Sequence, residues 1–470
     1  MLLERYYDDS LAQASYLIGC ERAREAIVID ANRGVRRYLE AAESRRMRIR
    51  FVTETHIHAD YLSGSRELAR AARAELLLSD HGGADWSYGL AGSDGARLLR
   101  DGDSIEVGAV RLEVRHTPGH TPEHISFLAT DTATGDRPLG MITGDFVFVG
   151  DVGRPDLLEL AAKIADTMES AARQLFGSLQ KLRALPDWLQ LWPGHGAGSA
   201  CGKSLGSVPQ TTLGYERLYN PAFQHAREED FVRWVLADQP EPPAYFAVMK
   251  RLNRDGPPTR PATDPVQLEA DALADSLERG DWVVDVRSSR DFSKGHVVGT
   301  INVPSGKSLP TYAGTVLSYD RPIVLVAQSR EQALAAVEQL ALIGMDRVAG
   351  WIPFAALRDG GRRVTLAGMP LVDAATLAAE TRRDGPRVID VRGRPEWNDG
   401  HLPGATHIYL GDLPGRLGEF DKSEPLVVHC ASGSRSSIAA SLMRARGFTN
   451  VVNFAGGTDA WRKEDLPFVK

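Results

Sequence analysis

The chain has 470 residues, a formal net charge of −7 and 25% charged residues, a length that predicts about three domains. That balance supplies no basic patch for nucleic acid or an anionic membrane surface, and no run of about 18 apolar residues is present to span a bilayer. The start, Met1-Leu2-Leu3-Glu4-Arg5, lacks the basic-then-apolar order of a secretion signal, and three cysteines, Cys20, Cys201 and Cys430, are too few for a disulfide framework, so the expected compartment is the cytoplasm.

The first chemical cluster is Thr55-His56-Ile57-His58-Ala59-Asp60-Tyr61. It is an HxHxD segment that ends in Tyr where a two-metal hydrolase carries another His. The change leaves one metal with few protein ligands and several open positions, the arrangement redox chemistry needs. Two later segments complete the cluster: Thr117-Pro118-Gly119-His120-Thr121-Pro122 and Ile142-Thr143-Gly144-Asp145-Phe146. Each reads as a short apolar strand that delivers a ligand on the loop at its end. Gly150-Asp151-Val152-Gly153-Arg154 and Trp192-Pro193-Gly194-His195 follow. His81, His116, His124 and His225 lack such context and read as turn or hydrogen-bonding residues. Cys201 lies in the glycine-rich stretch from His195 to Ser204. That stretch allows a tight path bringing the thiol to the metal pocket, with Lys203 to lower its pKa; a small buried hydrophobe is the alternative. The stretch is no phosphate loop, because Ala197 stands where that motif requires Gly.

Pro and Gly cluster between Asn253 and Pro261, predicting a boundary there. Beyond it the chain repeats itself. Val283-Val284-Asp285-Val286-Arg287 is answered by Val388-Ile389-Asp390-Val391-Arg392, and Gly295-His296-Val297-Val298-Gly299 by Gly400-His401-Leu402-Pro403-Gly404, both 105 positions on. Two homologous α/β domains are expected, with Pro322–Ala327 and Pro425–Cys430 as strands of covered parallel sheets. The second copy continues into Cys430-Ala431-Ser432-Gly433-Ser434-Arg435 and a helix over Ser437–Arg446. In the first copy Ala327 stands in place of the cysteine, in a loop two residues shorter.

The THxHAD, TPGHTP, TGD and GDVGR segments together make roughly residues 1–250 resemble the metallo-β-lactamase superfamily, and within it the persulfide dioxygenases of the ethylmalonic encephalopathy protein type. The resemblance implies an αββα sandwich and one Fe(II) per chain held by His56, His120 and Asp145. Two imidazoles and one carboxylate leave about three octahedral positions for a persulfide sulfur and O₂. It also implies that His58, a ligand in dinuclear relatives, stands just outside the shell. Asp60 and His195, second-metal ligands in the hydrolases, are expected to orient ligands and hold water or substrate beside Tyr61. Arg154 is expected at the metal mouth, neutralising the persulfide or the substrate's carboxylates; a salt bridge to Asp151 or Asp156 is the alternative.

The last copy resembles the rhodanese sulfurtransferases, with the CxxxxR loop, the DVR strand and the GHxxGA segment present. The resemblance implies Cys430 as a nucleophile that carries sulfur and Arg435 as the loop's closing cation. Loop amides and the helix start favour the thiolate and the persulfide. The cysteine-less copy is similar to a pseudo-rhodanese, expected to serve as a spacer or docking unit, with a lost-function remnant as the competing view.

As a whole the chain resembles bacterial fusion proteins of sulfide detoxification. The expected domains are 1–252, 265–363 and 370–470: an αββα sandwich and two rhodanese-like parallel-sheet domains. The expected partners are a low-molecular-weight persulfide, O₂ and sulfite, the expected product after sulfur transfer is thiosulfate, and a homo-oligomer is the working assembly. Two rivals stand beside this reading. One is a zinc thioester hydrolase of the glyoxalase II kind; the other is a persulfide carrier or scaffold. No single residue encodes the carrier thiol or the direction of sulfur transfer.

Overall fold

The computed structural model describes residues 1–157, 167–260, 264–360, 363–380 and 385–470. It divides into two units, Met1–Arg260 with Leu342–Gly344, and Pro261–Ala341 with Met345–Lys470.

The first unit carries two six-stranded sheets. One runs β1 (Leu2–Asp8), β2 (Gln13–Cys20), β3 (Glu25–Ile29), β4 (Arg48–Thr53), β5 (Glu75–Ser79) and β6 (Arg97–Leu99) in that spatial order. Its pairing is antiparallel up to β3 and parallel from there on. The other comprises β7 (Ser104–Val107), β8 (Val110–His116), β9 (Ile125–Asp131), β10 (Gly140–Gly144), β11 (Gln190–Pro193) and β12 (Thr211–Thr212). There β10 and β11 are parallel and the remaining pairs antiparallel.

Successive strand residues point to opposite faces, and both faces are used. Ile18, Ile27, Phe51 and Leu77 of the first sheet meet Leu112, Phe127, Ile142 and Trp192 of the second in one buried cluster. One residue along, Val28, Val52 and Leu76 turn outward against Tyr38 and Ala42 of the helix Arg36–Ser44 and Leu68 of the helix Ser65–Ala72. Leu128, Met141 and Leu191 pack on the helices Met168–Leu182 and Glu228–Leu236. The result is the expected αββα sandwich. It places the loops after β3 and β4 at one end of the first sheet, and those after β8, β10 and β11 at one end of the second.

One expectation needs correction. The sequence predicts a linker from Asn253, but Asn253 lies on the helix Phe246–Asp255 and is buried. Its Nδ2 donates to the carbonyls of His58 and Tyr61, both at 2.8 Å, and its Oδ1 accepts from Ser63 N–H at 2.9 Å. Pro261, at the end of the predicted linker, lies outside the described residues. Replacing Asn253 by Ala leaves three buried backbone groups without partners, so a loss of about 3–5 kcal/mol is expected. Unfolding of the metal-loaded chain followed by tryptophan fluorescence checks this.

The second unit holds two parallel four-stranded sheets. The first is ordered β15 (Ile301–Asn302), β13 (Trp282–Asp285), β16 (Ile323–Ala327), β17 (Val348–Pro353), and β14 (His296–Val297) pairs with β18 (Leu366–Ala367). The second is ordered β20 (Thr406–His407), β19 (Arg387–Asp390), β21 (Leu426–His429), β22 (Val451–Phe454). The repeat is reproduced atom by atom. Arg287 and Arg392 each fork onto the aspartate two positions earlier and donate to the carbonyl of Gly295 or Gly400, both at 2.8 Å. Asp285 pairs with Val326 and Asp390 with His429. This register makes Ala327 the counterpart of Cys430.

Candidate metal centre and sulfur-transfer loop

His56 follows β4, His120 follows β8 and Asp145 follows β10, and the sandwich gathers one ligand atom from each within 4.8 Å of one another. His56 Nε2 is 3.9 Å and His120 Nε2 3.5 Å from Asp145 Oδ2. All three side chains are buried, and His56 Nε2 and both Asp145 oxygens have no hydrogen-bond partner. Buried polar atoms left unpaired are costly, and converging imidazole and carboxylate lone pairs are what a cation satisfies. The donor set therefore fits a metal ion.

The protonation states agree. Burial holds His56 well below its usual range and His120 down to about 3, so both imidazoles are neutral and ready to ligate. Burial pushes Asp145 up to about 6, so an entering cation displaces a proton from it at lower pH. Metal affinity is accordingly expected to be nearly flat above about pH 7 and to fall about tenfold per unit below about pH 6. Anaerobic titration of the metal-free protein across pH 5–8 measures this.

Each ligand is held from behind. Thr55 Oγ1 is 2.9 Å from His56 Nδ1 and donates to Asp30 at 2.9 Å. Asp30 also accepts from Thr55 N–H at 2.6 Å. His120 Nδ1 donates to the Arg154 carbonyl at 3.0 Å. His124 Nε2 accepts from Asp145 N–H at 3.1 Å, and its Nδ1 is 2.8 Å from Thr117 Oγ1. Gly153 passes so close that a Cβ there would meet the Asp145 carbonyl at 1.8 Å.

A second group, Asp60, His195 and Cys201, is buried beside the first. His195 Nε2 is 3.2 Å from Asp60 Oδ2 and 3.5 Å from Asp145 Oδ1, while its Nδ1 donates to the Ala12 carbonyl at 3.0 Å. The glycine-rich path thus delivers the thiol to the pocket. Burial, followed by the charges of Asp60 and Asp145, pushes the Cys201 thiol well up. Lys203 does not oppose this: its ammonium lies over the Trp234 ring and donates to that residue's carbonyl. The expected pKa-lowering role of Lys203 is therefore corrected.

In the second unit, Cys430 directly follows β21 and is buried. Gly433 N–H donates to its Sγ at 3.1 Å, Ser436 Oγ lies 3.7 Å away, and the helix Ser434–Ala445 begins at once. The path is tight: a Cβ on Gly457, whose φ is +55°, would meet the Cys430 carbonyl at 2.2 Å. Arg435 forks onto Glu396, with contacts of 2.5 and 2.8 Å.

The Metallo-beta-lactamase superfamily profile matches residues 9–195, and the Rhodanese-like domain profile matches twice, at 269–360 and 373–464. A crystal structure described as a metallo-beta-lactamase from Staphylococcus aureus subsp. aureus COL is 40% identical, covering 75% of this chain and 99% of that one, with a TM-score of 0.70. The chain belongs to the metallo-β-lactamase superfamily. Its superfamily domain is followed by two rhodanese-like domains. Bovine persulfide dioxygenase ETHE1, mitochondrial, is 26% identical over 234 residues, 49% of this chain and 78% of that protein. A hydroxyacylglutathione hydrolase of Rhodospirillum rubrum is 31% identical over 180 residues, 38% of this chain and 60% of that protein. These relatives make the chain an enzyme with a metal-binding domain joined to rhodanese-like domains.

Three residues beside the cluster have definite partners: His58 stands outside the three-ligand group, as expected, and Arg154 makes the salt bridge that was the alternative to a place at the metal mouth. The Arg154 guanidinium does not face the metal mouth: it is fully buried, forked onto Asp156 at 2.8 and 2.6 Å, and bonded to the Ala200 carbonyl. Tyr61 OH donates to the Asp30 carbonyl at 3.3 Å, and its ring lies 4.4 Å from that of His58. His58 Nε2 lies 3.1 Å from both Asp30 and Glu54, and these carboxylates, outweighing burial, hold its pKa well above the usual value.

Asp30 and Glu54 escaped the sequence reading. Asp30 has a faint signal, a lone acid ending an apolar strand, and a φ of +58° that suits only tightly constrained non-glycine residues. His124, expected as a hydrogen-bonding residue, is one, and its partner is the backbone of the ligand Asp145.

Proposed function

We propose that residues 1–252 form a persulfide dioxygenase, residues 265–363 a cysteine-less rhodanese copy and residues 370–470 an active rhodanese, acting together in cytoplasmic sulfide detoxification. The overall oxidation is RSSH + O₂ + H₂O → RSH + SO₃²⁻ + 2H⁺. The observation that carries this reading is the buried three-donor cluster of His56, His120 and Asp145, one of three such groups among the described residues, beside a position where Tyr61 replaces an imidazole. Fe(II) held by those three residues would supply a redox-active Lewis acid for persulfide oxidation.

The chain's own residues do the rest. Asp30 through Thr55, the Arg154 carbonyl and His124 fix the three ligands, limiting the reorganisation needed during reaction. Asp60 and His195 hold the water that hydrolyses the oxidised sulfur. Cys201, neutral at its buried position, offers a thiol at the pocket wall for sulfur relay.

In the rhodanese step a persulfide on Cys430 meets sulfite. The sulfite sulfur attacks the outer sulfur, the S–S bond to Cys430 breaks, and its electron pair leaves with the cysteine as thiolate while thiosulfate departs. The Gly433 amide and the helix start favour that thiolate.

Metal analysis with an oxygen electrode tests the assignment: about one iron per chain and persulfide-dependent O₂ uptake are expected. The second reading, a zinc thioester hydrolase, is favoured by the Rhodospirillum relative and by the adjacent Asp60, His195 and Cys201 group. Two zinc ions and thioester cleavage without O₂ uptake establish it instead.

A further inference from the structure

A cleft of about 240 Å³ opens between the outer face of the second sheet and the end of the helix Met168–Leu182. None of the residues of the three-ligand cluster, or of the Asp60, His195 and Cys201 group, lines it. Its floor is apolar: Met141, Phe146 and Leu182 are buried, and Leu185 packs beside them. The volume equals that of about eight waters in the liquid, below the range of drug-sized ligand sites, so it suits a small molecule with an apolar body.

Two cations at the edge of this floor lack full partners. Lys181 is exposed, and its ammonium makes no ion pair or hydrogen bond among the described residues. Arg115 gives Nη2 to Glu113 at 2.8 Å, but its Nε is buried with no hydrogen-bond partner. A buried N–H left unpaired is costly, and an anionic oxygen at this point satisfies it. Asp101 also lines the cleft, where it accepts from the His116 N–H at 2.8 Å. Two positive charges against one negative favour a single anionic group over a dianion or a cation.

The cleft shares a wall with the metal centre. Thr117 lines it, and Thr117 Oγ1 is 2.8 Å from His124 Nδ1, whose Nε2 accepts from the Asp145 N–H at 3.1 Å. Phe146, in the floor, directly follows Asp145. From the helix side, Ser178 donates to the Pro118 carbonyl at 2.8 Å, two positions before His120.

We propose that this cleft is an effector site for a small monoanion with an apolar body, held by Arg115 and Lys181 and linked to the metal centre through Thr117, His124 and Phe146. The link rests on Asp145 being a metal ligand. Loading the centre fixes Asp145, and with it the His124–Thr117 pair and Phe146. A ligand then meets a wall that is already ordered and binds more tightly. By reciprocity, the ligand raises metal affinity by the same factor.

Isothermal titration calorimetry of the full chain with octanoate, under anaerobic conditions, tests this. Saturable binding of about one octanoate per metal-loaded chain is expected, with octanamide, its uncharged analogue, at least about fivefold weaker. Arg115→Gln is expected to weaken octanoate binding about tenfold, the effect of one hydrogen bond to a charged group. Lys181→Gln, at an exposed position, costs about threefold. Ala184→Trp, which brings bulk into the cleft from another exposed position, abolishes binding, and melting curves confirm that each variant is folded. The metal-free chain is expected to bind octanoate about fivefold more weakly than the loaded one. Absence of saturable binding, equal affinity for octanoate and octanamide, or unchanged affinity in Arg115→Gln overturns the site. Equal octanoate affinity of the loaded and metal-free chains overturns the link. Failure of the underlying ligand assignment is separately visible, as metal retained by Asp145→Ala.

Discussion

Asp145→Ala is expected to empty the metal centre and end oxygen consumption. The side chain contributes the carboxylate that both His56 and His120 converge on, at 3.9 and 3.5 Å, and without it two neutral imidazoles remain in a buried pocket. A divalent cation there loses an anionic ligand in a medium where charge is poorly screened. Retained iron should fall below about a tenth of an equivalent, and persulfide-dependent O₂ uptake should drop by about a thousandfold or more. The rhodanese activity of the same preparation is the internal control, since Cys430 belongs to the other unit. Asp30→Asn provides a graded companion. It keeps the size but weakens the support of Thr55 and hence of His56, so a loss of about 10–100-fold in metal affinity is expected. Full oxygen uptake and a full iron complement in Asp145→Ala contradict the ligand assignment.

Cys430→Ser is expected to leave oxygen uptake within about twofold of wild type while moving the product from thiosulfate to sulfite. Serine preserves the shape of the loop, including the hydrogen bond available from Gly433 N–H, but an alkoxide is too basic to carry or release sulfane sulfur near neutral pH, whereas a thiolate is not. Ion chromatography of the products, run with O₂ consumption in one vessel, distinguishes the outcomes. Unchanged thiosulfate yield in this variant removes the coupled mechanism and leaves the rhodanese copies without a role in the oxidation.

Much of the architecture was legible before any coordinates. Local rules suffice for a short apolar run ending in Gly beside a ligand, and β4, β8 and β10 end where THxHAD, TPGHTP and TGD predicted. The repeat was legible for the same reason: DVR and GHxxG recur at a fixed offset, and parallel strands covered on both faces write themselves as continuous apolar runs. What local rules miss is any group whose partner lies far along the chain. Asn253 read as linker because its neighbours are Gly and Pro, yet its side chain closes the loop that carries His58 and Tyr61, nearly 200 positions away. Arg154 allowed two readings, a substrate clamp or a salt bridge to Asp151 or Asp156, and only its partners choose between them: it is drawn inward by Asp156 and the Ala200 carbonyl.

The sequence by itself determined the set of chemical groups: two histidines and an aspartate on three strand-end loops, a tyrosine in place of a further imidazole, and one cysteine loop in a duplicated α/β domain. These follow from residue identity and spacing, which fix strand ends and helix starts within a few residues. Only the tertiary structure decided where each side chain turns. It set His58 between Asp30 and Glu54, Tyr61 toward a backbone carbonyl, Cys201 against Asp60 and His195, and Asn302 against the helix that follows Cys430. The reason is that a buried polar atom takes whichever partner the packed sheets bring within about 3 Å, and that choice depends on distances across the fold that no local pattern contains.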